Sequence, residues 1–510
     1  MESTWLNLLG DWNPQFLREC RGRLKTRSIT ATIVLSLLPQ ILIFLTFWQT
    51  VRWTEHKELD WFGLWNSMTW FISYGLIIIG SYFLVNDITQ EDRLGTLNFI
   101  RLSPRPGREI LLGKLLGVPI LPYLAVALTV PLHLIAGILG QIPFTILISF
   151  YIMLLAGSAF FFSVALLFGL LNSAQRLMAA QQSTVALGFA ILLLMIGLPI
   201  YMNWNFMTVW SELKSTQSFG QPQLQWTYLP IASNVVLAHI FTLLVLAIGT
   251  FFIWRMLMRR FLAPKSTIMS KRLSYALVSV LEVLGLGFTL NSTLSLSQQS
   301  SLGIAITCGL NTGLFLVLIF VLCPFRQDVL DWLRFRYSHP AREGQTREQF
   351  SWRGAWRDLV WVDGSPGVSA IALNVIIANA LIIPWMLLLG PGREYPGVCI
   401  LIVVVVSVVV AIDAMAVQWI FTTRIRNPGA WAAGLLGIWH IIPVVILNLL
   451  GITPDKIPAA LTLFTVFGYP LTNLDHPLIG EILVGLLLQC GLLGWLIWQL
   501  QRQFQRLTPH

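Results

Sequence analysis

Charge is scarce in this sequence: only 11% of its 510 residues are Asp, Glu, Lys or Arg, against about 25% in ordinary soluble domains. A water-facing surface cannot be assembled from so few, which excludes a soluble globular protein. Cysteine is scarce too. Cys20, Cys308, Cys323, Cys399 and Cys490 are dispersed, mostly in apolar stretches, with no CxxC pair. They read as small buried hydrophobes, not as a disulfide scaffold or a metal centre. Among the few histidines, His133, His239 and His440 fall in or beside apolar stretches but lack partners at helical i, i+3 or i+4 spacing, so no metal or haem site is expected. A nucleotide-binding GxxxxGK[ST] loop is also missing. The nearest approach, Gly107 to Lys114, has one residue too many and is followed by Leu115 where a magnesium-binding hydroxyl is required. The chain is therefore expected not to be catalytic alone and to carry no cofactor.

What is abundant is apolar sequence, 56% of residues, gathered into blocks near the length of about 20 residues that a helix needs to cross a bilayer. Backbone amides in lipid must find partners within their own segment, so blocks this long choose helices. The expected fold is an all-α integral membrane protein with spans at 29–50, 62–86, 112–138, 144–171, 183–202 and 229–257, then 273–290, 301–323, 367–389, 397–420, 430–450 and 479–500. These are twelve spans in two six-span halves, residues 29–260 and 261–510, behind an amphipathic N-terminal helix in 1–28. The first apolar block is too long for a cleavable signal peptide and lies behind a basic stretch, so it is expected to stay in the mature protein. Trp48, Trp53, Trp61 and Trp65 gather near span boundaries, as in an aromatic belt.

Lys and Arg collect on the cytoplasmic side of bacterial-type membrane proteins. With both termini inside, 28 of the 33 basic residues fall on that side and 5 outside, namely Arg52, Lys57, Lys214, Arg393 and Lys456. The net charge of +10 is thus topological and does not point to nucleic acid. The stretch 456–470 is read as re-entrant or interfacial within an outer segment 451–478, because Pro470 and the polar run Thr472-Asn473-Leu474-Asp475 make a poor span end. Residues 203–228 form the matching outer loop of the first half, and 324–366 a large inner loop of the second.

The most informative segment is the inner loop 87–114. Read as one helix over 87–104, it sets Asp87, Glu91 and Asp92 early, where the helix dipole favours anions, and lines Leu94 and Leu97 along one face with the Arg101 stem. Pro104 and Pro106 then stop it.

Here the residues carry a family likeness. Glu91-x-x-x-Gly95-Thr96-Leu97, then Leu102-Ser103-Pro104, then Leu112-Gly113-Lys114-Leu115 resembles the coupling-loop motif of ABC-transporter permeases of the type-2 exporter class. The basic stretch Asn13 to Lys25 is similar to the amphipathic helix that opens many of them, and the resemblance covers roughly residues 11–260. It implies a permease in the cell (plasma) membrane, such as a bacterial inner membrane, that exports an unidentified substrate. ATP would be bound and hydrolysed by a separate cytosolic ABC ATPase subunit. It also implies that Asp87, Glu91, Asp92, Arg93, Gly95, Thr96, Leu97, Ser103 and Pro104 form the ATPase-coupling element. The second half departs from the pattern, since 324–366 contains no second Glu-x-x-x-Gly-Thr-Leu. A homodimer and a pseudo-dimer of the two halves both stay open.

Two acids lie inside apolar helices, Glu282 and Asp413, where a charge near the bilayer centre costs about 2.5–3.5 kcal/mol. They line a substrate or proton path, or they pack as neutral hydrogen-bonded groups. Two rival classes remain. A secondary transporter places several ionisable or helix-breaking residues at mid-membrane, and a lipid-linked transferase needs convergent acids or histidines at one face. The outer loops offer only Glu212, Glu394, Asp455 and Asp475.

The topology is testable in a cysteine-free background. A cysteine beside Lys214 should react with an impermeant thiol reagent from outside, and one beside Arg342 should not. A reporter fused after His510 should register cytoplasm; an external signal there would restore a thirteenth span at 456–470.

Overall fold

The computed structural model describes residues 12–53, 59–173, 179–213, 225–231, 234–264, 266–290, 296–337, 352–388, 396–449 and 479–507. It is almost wholly helical. Among the described residues ten helices are long and apolar enough to cross a membrane, or eleven if one bent pair is a single span, and the chain is a multi-pass, all-α membrane protein. The helices divide into two compact units, Met1–Phe219 with Ile231–Pro264, and Gly220–Pro230 with Lys265–His510.

The first unit contains α1 (Pro14–Arg23), α2 (Thr26–Trp53), α3 (Trp61–Arg93), α4 (Thr96–Arg101), α5 (Gly107–Gly117), α6 (Ile120–Leu139), α7 (Phe144–Ser173), α8 (Ala179–Leu192), α9 (Leu198–Leu213) and α10 (Val235–Leu262). A five-residue π turn, Leu193–Gly197, joins α8 to α9. The central element is α3, which packs against α2, α6, α7 and α8. Its buried Leu64, Met68, Ile72, Leu76 and Gly80 recur every fourth residue, the spacing of one helix face. Near its N-terminal end Trp65 and Met68 join Ala136, Ile146, Leu147 and Val235 in one apolar cluster.

Two expected boundaries move in this unit. The expected span 112–138 is broken: α5 ends at Gly117, Pro119 cannot continue its hydrogen bonds, and the candidate span is Ile120–Leu139. Lys114 therefore lies outside the crossing helix. The outer loop expected from 203 is helical up to Leu213. There the amides of Asn203 and Asn205 donate to the carbonyls of Pro199 and Tyr201 four residues back, so these polar side chains do not interrupt the helix.

The second unit opens with a hairpin of two-residue strands, β1 (Gln225–Trp226) and β2 (Leu229–Pro230). It continues with α11 (Lys271–Thr289), α12 (Leu296–Leu322), α13 (Arg326–Tyr337), α14 (Trp352–Trp361), α15 (Gly367–Leu388), α16 (Pro396–Thr422), α17 (Pro428–Leu449) and α18 (Ile479–Leu507). The hairpin is pinned to α11, with the Thr227 amide donating to Gly287 O at 2.7 Å and Trp226 Nε1 to Leu284 O at 3.1 Å. α16 is the hub, touching α12, α15, α17 and α18. The apolar arm Gly309–Leu322, within the expected span 301–323, meets Arg326–Arg334 at a bend of 59°. Pro324 stands in the break. In α17 the apolar stretch Pro428–Ile442 is shorter than the crossing helices. The expected outer segment 451–478, including 456–470, lies outside the described residues.

Candidate functional site

Lys114 is completely enclosed, its side chain 0% exposed. An ammonium without water must be surrounded by acceptors, because the cost of desolvating it is several kcal/mol. Two neighbouring helices supply them. From α3 come Asp87 Oδ2 at 2.6 Å and Glu91 Oε2 at 2.8 Å, and from α1 comes Glu19 Oε1 at 3.5 Å. Asp87 and Glu91 are one turn apart, so both carboxylates lean to the same side of α3. The cluster is closed by cations of α1. Arg18 reaches Glu91 at 2.6 Å and Glu19 at 3.3 Å, while Arg23 reaches Asp87 at 2.5 Å and Glu19 at 3.4 Å. Three carboxylates meet three cations, and the formal charges cancel.

The carboxylate oxygens of Glu19, Asp87 and Glu91 lie within 4.8 Å of one another, a grouping that could hold a metal ion. Lys114 Nζ already stands among them as the central cation. Burial pushes Glu19 up, but Lys114, Arg23 and Arg18 together outweigh it and hold this carboxyl below its ordinary value. Burial likewise pulls Lys114 down, and Asp87, Glu19 and Glu91 overcome it, so its ammonium is held above the ordinary lysine value.

The close fit of α1 depends on small residues. A Cβ on Gly113 would come within 2.7 Å of Asn13 Oδ1 and 2.8 Å of Phe16 N, and one on Gly117 within 2.6 Å of Glu19 Cβ. These glycines, one turn apart, let the backbone of α5 touch α1. Asn13 fastens the junction at both ends. Its Oδ1 accepts from Phe16 N at 3.0 Å as the N-cap of α1, and its Nδ2 donates to Glu109 O at 2.7 Å.

The coupling segment differs from the single helix expected over 87–104. Asp87, Glu91 and Asp92 lie in the last turns of α3, where the helix dipole disfavours anions; Lys114, Arg18 and Arg23 override it for the first two. Arg101 attracts Asp92. Gly95 then turns the chain with φ of 74°, a left-handed conformation that favours glycine, and starts α4. Thr96 Oγ donates back to Glu91 O at 3.1 Å. Leu94 and Leu97 do not share a face: Leu97 is buried with Ile100, whereas Leu94 is 60% exposed, Phe99 79% and Leu102 85%. Arg93 and Pro104 are exposed and Ser103 is half-buried.

The intramembrane candidates sit elsewhere. Glu282 is buried and hydrogen-bonded to Asn311. Asp413 Oδ2 pairs with His440 Nε2 at 2.9 Å, between α16 and α17. His133 contacts the hydroxyls of Thr69 and Tyr151 at 3.0 and 2.8 Å, and His239 contacts Ser149. Glu212, Glu394, Asp455 and Asp475 fall where no side chain is described. Comparison with known protein families, curated proteins and solved structures finds no match to this chain.

The roles of Glu19, Arg18, Arg23 and Lys114 were not assigned from sequence. The available signals were the i, i+4 pairs Glu19/Arg23 and Asp87/Glu91, and one lysine set among glycines and leucines.

Lys114→Met would leave three carboxylates facing one another, a loss of about 3–5 kcal/mol. Faster tryptic cleavage of α1 and a lower melting temperature should follow, with partial rescue when Asp87→Asn is added. Equal cleavage of the variant and wild type would dismiss the cluster as a structural lock. Hydrogen exchange in 14–23 should also report pH. Glu19, with its depressed folded value, stabilises above the ordinary carboxylate range and ceases to do so as pH falls through that folded value. Lys114, with its raised folded value, stabilises below the ordinary lysine range and ceases as pH rises through its own. Protection of α1 should therefore be greatest at neutral pH.

Proposed function

We propose that this chain is the membrane-spanning permease of an ABC-type exporter, resident in the plasma membrane with twelve spans and both termini cytoplasmic. Energy comes from ATP hydrolysed on a separate cytosolic ATPase. The observation that carries this reading is the exposed apolar trio Leu94, Phe99 and Leu102, on and beside the short helix α4 that follows α3. Apolar side chains this exposed beside basic residues favour a protein partner. Behind them, Leu97 and Ile100 anchor α4 to its own unit, and the charge cluster joins α3 to α1 and α5. A partner pushing on α4 would therefore move α3 as a lever, which is what coupling of nucleotide-driven closure to a span requires.

On this reading the charged residues divide in role. Asp87 and Glu91 stiffen the lever from inside, while Gly95 and the apolar trio meet the ATPase. The sequence pattern from Glu91 to Leu115 supports the same assignment. A second reading, a proton-coupled secondary transporter, is favoured by the buried Asp413–His440 pair, because intramembrane acid–histidine pairs serve proton relays.

The test is co-purification. The tagged chain, expressed from its native locus, should bring down a nucleotide-hydrolysing subunit. Phe99→Ala with Leu102→Ala should reduce the recovered ATP hydrolysis by at least about tenfold, as for two apolar anchors at an interface. Insertion and melting should be unchanged, and Glu394→Arg should leave recovery intact. Undiminished recovery in the double variant, or no ATPase in any preparation, would overturn the permease reading. In the second of these cases, transport abolished by Asp413→Asn would favour the proton-coupled one.

A further inference from the structure

Within the second unit, the start of α13, the end of α16 and the last turns of α18 enclose an open cavity of about 420 Å³. That size is in the range of small-molecule sites. Its charged lining is all of one sign: Arg326, Arg424, Arg502 and Arg506, joined by the amides of Gln499 and Gln503. No carboxylate lines it, and among the described residues none of the four arginines is in an ion pair. The hydroxyls of Thr422 and Thr423 donate to carbonyls of their own helix, Gln418 O and Ile420 O, and bring no charge. Four guanidinium groups around one space repel one another unless an anion enters, and their forked donors match phosphate oxygens in pairs.

The approach to the cavity indicates the source of that phosphate. Residues 499, 502, 503 and 506 share one face of α18. Immediately before them the same helix exposes Leu487, Leu488, Trp495 and Trp498. The Arg502 guanidinium lies over the Trp498 ring, 3.6 Å from its centroid. An apolar, then aromatic, then cationic order along one exposed helix is the order of acyl chains, interface and headgroups in a leaflet. Ile425, also exposed, adds apolar surface beside Arg424.

We propose that this cavity binds the phosphate of an anionic phospholipid, held by Arg326, Arg424, Arg502 and Arg506, with the acyl chains along the exposed face of α18. The site belongs to the second unit alone and does not depend on the transporter reading.

The full chain, purified and delipidated in a neutral detergent, would be offered phosphatidylglycerol or phosphatidylcholine in mixed micelles, with retained lipid counted by native mass spectrometry. Wild type should retain phosphatidylglycerol with at least about tenfold preference, falling as salt rises. The triple variant Arg424→Gln, Arg502→Gln and Arg506→Gln should lose that preference while melting like wild type in phosphatidylcholine. Should the triple variant not fold, Arg502→Gln alone should weaken the preference. Inorganic phosphate and glycerol phosphate form the arm that separates a free anion from a lipid. Neither should displace phosphatidylglycerol at equal concentration. Preference retained in the folded variants, or full displacement by the soluble phosphates, overturns the proposal.

Discussion

A lysine ammonium shut off from water can persist only if its surroundings replace the hydration it has lost, and one end of the first unit is arranged around that requirement. Lys114 has no exposed side-chain surface, and its three acids come from two other helices. Because each carboxylate in turn needs more than one cation, Arg18 and Arg23 are drawn in, and α1 is held against α3 and α5. Gly113 and Gly117 make the contact possible by letting the backbones meet. The turn at Gly95 and the exposed Leu94, Phe99 and Leu102 lie directly beyond this end of α3.

The second unit solves the same problem with neutral oxygens. Lys271, also buried, donates to Ser365 Oγ at 2.6 Å, Leu359 O at 2.7 Å, Pro366 O at 3.2 Å and Ser369 Oγ at 3.3 Å. Its own backbone amide donates to Asp363 at 2.9 Å. This cage ties the start of α11 to the end of α14 and the start of α15, so one lysine again fastens three helices. Against these two satisfied lysines, the four arginines around the α18 cavity stand out because their charge is not balanced by the residues that line it.

Several polar groups within the spans find partners on neighbouring helices. The contacts of His133 with Thr69 and Tyr151, of Asn374 Nδ2 with Ser274 Oγ at 2.9 Å, and of Asn379 Nδ2 with Ser407 Oγ at 2.8 Å cross between helices. Such bonds are modest in energy, about 0.6 kcal/mol on average in membrane interiors, yet each sets the rotation of one helix against another. They were invisible as pairs in the sequence, where each residue was an isolated polar interruption.

The sequence by itself determined the fold class and the places of most spans, since lipid imposes its demand residue by residue and about 20 consecutive apolar residues answer it without reference to any other segment. It also marked 87–114 as unusual, through its acids, its Gly95-Thr96-Leu97 run and its prolines. Only the tertiary structure decided what those acids are for. Asp87 is 27 residues from Lys114 and Glu19 is 95 away, separations at which no periodicity can foretell a contact. The break between α5 and α6, the reversal that puts the acids at a helix end instead of its front, and the gathering of Arg326, Arg424 and Arg502 from three distant parts of the chain have the same origin. Hydropathy is a local property, whereas the pairing of charges depends on which helix ends are brought together, and that is set by packing.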